Sequence, residues 1–194
     1  MVNTLTVAVA IAAAGLAGPA TLRPGFITDQ AVQSPNTFLY AGEPVHPKLV
    51  EEFEGWLSDA RPPITVAVDV AAAFGTNEYS EPVATTDSGL VRYTTDGGWY
   101  GYQHLGALSD GTHVLRTATN SGGSGVFMNL VFVRLETDLA VRPAGTKYKR
   151  TLMHNLGSFV LGDRDNGAIY VDDERVEVGA SRYRALPTTL SFGR

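Results

Sequence analysis

Four histidines, His46, His104, His113 and His154, are the side chains of this 194-residue chain best suited to proton transfer or zinc ligation. None is spaced as H-x-x-x-H. Because the chain has no cysteine, a zinc site would have to be assembled from dispersed histidines and carboxylates. A two-residue turn at Asp110-Gly111 sets Leu108 opposite His113 and puts His104 and His113 on one face of a hairpin but four strand positions apart, about 13 Å at about 3.3 Å per residue. That separation excludes a shared metal and leaves structural or surface histidines as the expectation. For a hydrolase, whose residues meet in space rather than in sequence, His104 or His154 is the candidate general base and Asp69 its candidate partner.

The run Asn120-Ser121-Gly122-Gly123-Ser124-Gly125 has the glycine content of a phosphate cradle, but no Gly-Lys-Ser/Thr follows and the next segment reads as a strand. It is not a nucleophile elbow either, since Val126 stands where G-x-S-x-G requires glycine. A hairpin loop is expected, which sets Leu115 opposite Leu130 and Val114 opposite Val131. Asp163 and Asp165 are spaced like the start of a calcium loop with Glu174 at its twelfth position, yet Gly167 falls where an oxygen ligand is needed and Ala168 takes the glycine position. An Asx-type turn is the expectation there, with no metal and no other cofactor. Trp99, Tyr100 and Tyr102 are the densest aromatic cluster, and in a strand Trp99 faces away from the two tyrosines, so at least one ring can offer a stacking platform. With Asn120 from the glycine-rich loop, Trp99, Tyr100 and Tyr102 are the candidate ligand-binding residues, the ligand class being carbohydrate or peptide. Arg142, Lys147, Lys149 and Arg150, with Tyr148 among them, form a basic patch that reads as a solvated strand or loop.

These residues must be positioned mainly by strands. Residues 64–70 alternate Ile64, Val66, Val68 and Val70 with smaller or polar residues, and further short runs follow at 90–94, 99–108, 112–119, 126–136, 151–161, 168–172 and 175–178, separated by Asp-Gly, Gly-Gly or Asn-Gly. The expected fold is mainly β, α+β at most: an antiparallel meander, sandwich or partly closed barrel with one docked helix over 47–60. Pro47 suits the first helical position, Glu51 and Glu52 lie near the positive end, and Leu49, Val50, Phe53, Trp56 and Leu57 recur at helical spacing before Pro62-Pro63 stops the helix. The run 126–136 is apolar on both faces and reads as a central strand packed on each side. The C-terminal hairpin is expected to set Val171 beside Val176 and Ile169 beside Val178. His104-Leu105-Gly106 is weakly echoed by Asn155-Leu156-Gly157, too briefly to be a repeat.

Twenty acidic against fifteen basic residues leave a net charge of -5, which removes any chain-wide attraction to phosphate backbones, so nucleic acid is not an expected partner. Residues 5–17 are uncharged and small or apolar, shorter than the roughly 20 residues of a membrane span, and are followed by Gly18-Pro19-Ala20. They resemble a secretory signal peptide over 1–20, although Met1-Val2-Asn3-Thr4 lacks Lys and Arg. Residues 21–63 then form an irregular lead-in plus the helix, and 64–194 the β-rich part of the same single domain. The expectation is a secreted or periplasmic module with a binding or structural role, without catalysis and without a membrane span in the mature chain. The alternatives are an exported hydrolase with a dispersed His/Asp site and an intracellular protein that keeps its apolar N-terminal segment.

Overall fold

The computed structural model describes residues 8–10, 38–54, 65–71, 77, 79 and 81–192. Most of the apolar segment 5–17, the lead-in over 21–37, Trp56, Leu57, the Pro62-Pro63 stop and Ile64 lie outside those residues.

The chain is mainly antiparallel β, as the alternation of its strands requires. Seven strands, β4 (Ala67–Asp69), β5 (Ala84–Thr85), β6 (Leu90–Thr95), β7 (Gly98–Ala107), β8 (His113–Asn120), β9 (Phe127–Val141) and β10 (Lys147–Asp163), form one sheet in the order β4-β10-β9-β8-β7-β6-β5. The sheet curls into a half-barrel. A second sheet, ordered β1-β13-β12-β11, is built from β1 (Ala8–Ala10), β11 (Ile169–Val171), β12 (Arg175–Val178) and β13 (Thr188–Ser191). A strap over residues 38–54 holds the hairpin β2 (Leu39–Tyr40) and β3 (Glu43–Pro44) and the helix α1 (Pro47–Glu51).

Strand β9 sits at the centre of this layering. Val131 and Val133 face the strap side, in one core with Phe38, Leu49, Val50, Tyr102, Leu115 and Met153. Leu130 and Phe132 face the other way, in a second core with Val114, Leu161 and, from the smaller sheet, Val176, Val178 and Leu190. All four β9 residues are buried, so the two-sided central strand expected over 126–136 is what the chain forms. Burying each such side chain contributes on the order of 1.5–3 kcal/mol, which makes this strand a large part of what holds three layers together. The C-terminal hairpin also pairs as its sequence predicts, Val171 with Val176 and Ile169 with Val178.

Two other registers differ by one residue from expectation. The Asp110-Gly111 turn is one residue longer than the two-residue loop. Leu108 donates to the Thr112 carbonyl, the Asp110 carboxylate accepts from the Thr112 N–H, and Gly111 takes the positive φ of 84° that closes a three-residue loop. Ala107 therefore faces His113, where Leu108 was expected. The 120–125 loop also takes one more residue, because the Val126 N–H leaves the ladder to bond Asp163 Oδ1; Leu115 then faces Val131 in place of Leu130.

Bulges shift the ladder at His104/Gly106 and again at Asn155/Gly157, with Gly106 and Gly157 at φ of 154° and 139°. The weak echo between the two tripeptides is thus one backbone device used twice, and each time the inserted leucine packs on the core beneath the smaller sheet.

The described part of the helix is shorter than the 47–60 expectation. Pro47 does start it, but α1 ends at Glu51, and Glu51 and Glu52 stand at its C-terminal end, not near the positive one. The turn runs on through Phe53 and Glu54, whose N–H groups bond the Val50 and Glu51 carbonyls.

Candidate functional site

The strap is fastened to the half-barrel by three carboxylates, Glu51 and Glu52, which the sequence marks only as helix-end charges, and Glu54, which it does not mark at all. Tyr100 on β7, Thr117 on β8 and Asn129 on β9 lie on one face of three adjacent strands, with Thr117 directly opposite Asn129. Their polar ends converge on Glu54. The Tyr100 hydroxyl donates to Oε2 at 2.5 Å, and Thr117 Oγ1 and Asn129 Nδ2 each donate to Oε1 at 2.7 Å. One turn back, Glu51 accepts from the Tyr93 hydroxyl, and Glu52, on the outer side, accepts from Tyr79 at 3.0 Å. Tyr102 donates to the Val45 carbonyl at 2.7 Å. Burial, reinforced by the neighbouring carboxylates, pushes the Tyr93 and Tyr100 hydroxyls well above their ordinary range, so both stay protonated donors. Burial also raises Glu51.

Histidines fasten the same layer. His46 caps α1 by accepting from the Lys48 N–H at Nδ1, which leaves Nε2 protonated to donate to the Glu81 carbonyl at 2.9 Å. His104 and His113, expected about 13 Å apart, are in contact: Nδ1 of His113 lies 3.2 Å from Nε2 of His104. The longer turn and the bulge at Gly106 each draw the strands one residue closer, so His104 faces Leu115 and the two rings become diagonal neighbours. Phe38 packs against both rings, at 6.0 Å from His104 and 5.0 Å from His113. Desolvation by burial lowers all three histidines, His104 furthest, to about 4, with the adjacent His113 adding to the effect.

Neither proposed His–Asp pair forms. The Asp69 carboxylate accepts from the Ala71 N–H, and His154 lies 3.7 Å from the exposed carboxylate of Glu136. Two histidines in contact could supply half of a metal site, but among the described residues no three His, Asp or Glu side chains are grouped to hold an ion. Around the calcium-like loop, Asp165 makes the expected Asx turn to the Gly167 N–H at 2.9 Å and lies buried against Arg184 at 3.3 Å. Arg116 donates to the Asp165 carbonyl, and Asp163 is shared by Val126, Arg164 and Arg182.

The aromatic cluster divides as strand alternation demands. Tyr100 and Tyr102 are core residues, 2% and 0% exposed, committed to Glu54 and Val45. Trp99, beside Arg92 at 5.9 Å, is the ring of the three that reaches the surface. Asn120 holds its own loop, donating to the Gly123 and Gly125 carbonyls and accepting from the Gly122 N–H. A cleft of about 320 Å³ opens where the strap meets the sheet edge, lined by Tyr40, Glu43, Val45, His46, Val70 and Thr85. The sequence reading missed this cleft because its walls come from segments without a motif. Glu54 was missed because three strand partners, none near it in sequence, define its role.

No protein-family model, curated protein or solved structure matches the chain. No described helix is long and apolar enough to cross a membrane.

Proposed function

We propose that the protein is a non-catalytic binding or structural module acting in a periplasm or outside the cell. The observation that carries this reading is the fate of Glu54: the carboxylate best placed for chemistry spends both oxygens on Tyr100, Thr117 and Asn129 and has become a fastener. The histidine pair and Asp165 are likewise engaged within the fold. The cleft bounded by Tyr40, Glu43 and Thr85 offers an aromatic ring with polar groups beside it, a combination that suits a sugar or an extended peptide. The signal-like segment 1–20 supports export. Its removal would take β1 from the edge of the smaller sheet and leave β13 paired with β12.

Two measurements test the proposal. Mass spectrometry of the native chain is expected to show a start at Gly18 or Thr21 in a periplasmic or secreted fraction; an intact Met1 or Val2 terminus in the cytoplasm removes the export claim. Calorimetric titration against soluble oligosaccharides and short peptides is expected to give a ligand whose binding Tyr40→Ala abolishes. Hydrolysis of any of them would overturn the non-catalytic assignment.

A further inference from the structure

Strands β9 and β10 outrun the sheet that contains them. β8 pairs with β9 only as far as Val133, and β4 pairs with β10 only at Leu152, Met153 and His154. Beyond Glu136 and Leu152 the two strands pair only with each other, up to Val141 opposite Lys147, which at about 3.4 Å per residue carries a two-stranded ribbon roughly 17 Å outward. We propose that this ribbon is a docking arm for the surface of an anionic lipid bilayer.

The two faces of the ribbon are unequal. On one, Arg150 holds Asp138 through two hydrogen bonds of 2.8 and 2.9 Å, and Arg142 stacks on Tyr148 at 4.8 Å, so charge and ring are satisfied locally. On the other, Leu139 faces Lys149 and Val141 faces Lys147 across the ladder. Leu139 is 66% and Val141 61% exposed, and among the described residues neither lysine has an ion-pair partner. Alternating aliphatic and ammonium groups find partners for both at the boundary of lipid headgroups and acyl chains. A nucleic-acid backbone would neutralise the lysines and leave the aliphatic side chains in water.

The net charge of -5 opposes approach to an anionic membrane, but distance decides the balance. At physiological ionic strength a charge is screened over about 8 Å, less than half the reach of the ribbon. Over residues 137–151 the chain carries four cations and one carboxylate, so the tip meets the bilayer on its own positive charge. The inference rests on the ribbon alone and does not depend on export or on the cleft.

Co-sedimentation of the full chain with vesicles tests it, comparing pure phosphatidylcholine with phosphatidylcholine mixed with phosphatidylglycerol. More protein is expected to pellet with the anionic vesicles, less as salt is raised. The double variant Lys147→Gln/Lys149→Gln should weaken binding about tenfold or more, from the two lost lysine attractions. Leu139→Ser/Val141→Ser should weaken it while melting unchanged, because the ribbon lies outside both cores. Residues 5–17 are common to every variant, so differences between variants isolate the ribbon. In Leu139→Trp, the new indole should shift its emission to the blue on anionic vesicles. Equal pelleting of wild type and both double variants would overturn the proposal. So would retention of the ribbon by duplex DNA, an acidic peptide or a second copy of the chain at the same salt without vesicle binding.

Discussion

On one face of the seven-stranded sheet the covering layer is another sheet, held by Leu130, Phe132, Val176, Val178 and Leu190, with the Asp165–Arg184 pair set at its margin. On the opposite face it is a strap of seventeen residues, 38–54, whose apolar contacts through Phe38, Leu49 and Val50 are supplemented by carboxylates and imidazoles. Apolar burial is nearly indifferent to pH, whereas a buried imidazole that must stay neutral is not. The contrast teaches that pH sensitivity can be confined to one side of a single sheet. Three of the four histidines belong to the strap or its seat.

The largest effect is expected where the second face departs from apolar chemistry. Asp165→Ala leaves Arg184 and the neighbouring Arg116 without their buried carboxylate and should cost roughly 3–5 kcal/mol in urea unfolding. A loss under about 1 kcal/mol would mean the pair is solvated. Next, Leu130→Ala should cost roughly 2–5 kcal/mol and its neighbour Val131→Ala roughly 1–3 kcal/mol, each emptying a different core. If either unfolds at the wild-type midpoint, that face is not packed and the comparison fails.

A smaller effect sharpens the contrast. His104 titrates near 6.5 when unfolded and near 4 when folded, so the unfolded chain binds the proton first. Stability should therefore fall as pH drops from 6.5 towards 4 and lose nothing further to this group below that, by on the order of 1–3 kcal/mol after solvent screening. Hydrogen exchange should locate the loss in residues 38–54, with β12 and β13 protected, and His104→Asn should flatten the slope. Equal loosening of both layers would break the idea of a pH-sensitive side. Smallest is Tyr100→Phe, which removes one of three donors to Glu54 at a cost of about 1.5 kcal/mol and leaves the second core untouched.

The mainly β architecture was legible because alternation and Gly-rich punctuation are local properties of the chain. So was the two-sided burial of β9, since four consecutive apolar residues, Leu130 to Val133, leave no face for water. The 169–178 hairpin was legible in register because its valines and isoleucine match in only one pairing. Register failed around 108–112, where the sequence marks a turn but not its length, and that single residue together with a bulge hid the His104–His113 contact. The ribbon was invisible as strand beyond residue 136 because nothing covers it: without burial, Lys-Tyr-Lys-Arg carries no hydrophobic period. Of the expected ligand residues, alternation correctly separated Trp99 from Tyr100 and Tyr102, but it could not say which side was filled, since the strap that buries the tyrosines lies some fifty residues earlier.

The paired bulges reach beyond geometry into what kinds of sequence change the fold can absorb. In β7, Tyr100 and Tyr102 enter the strap-side core, yet Leu108, just past its end and of the same parity, enters the other one. In β10, Met153 and Leu161 divide in the same way, on either side of Leu156. Each inserted leucine thus acts as a frameshift in the alternation of faces, and loss of one residue there would turn the rest of the strand inside out. Replacing Leu105 or Leu156 should be tolerated far better than deleting it. Among relatives of this chain, length in these two strands is expected to vary less than the identity of the residues that make it.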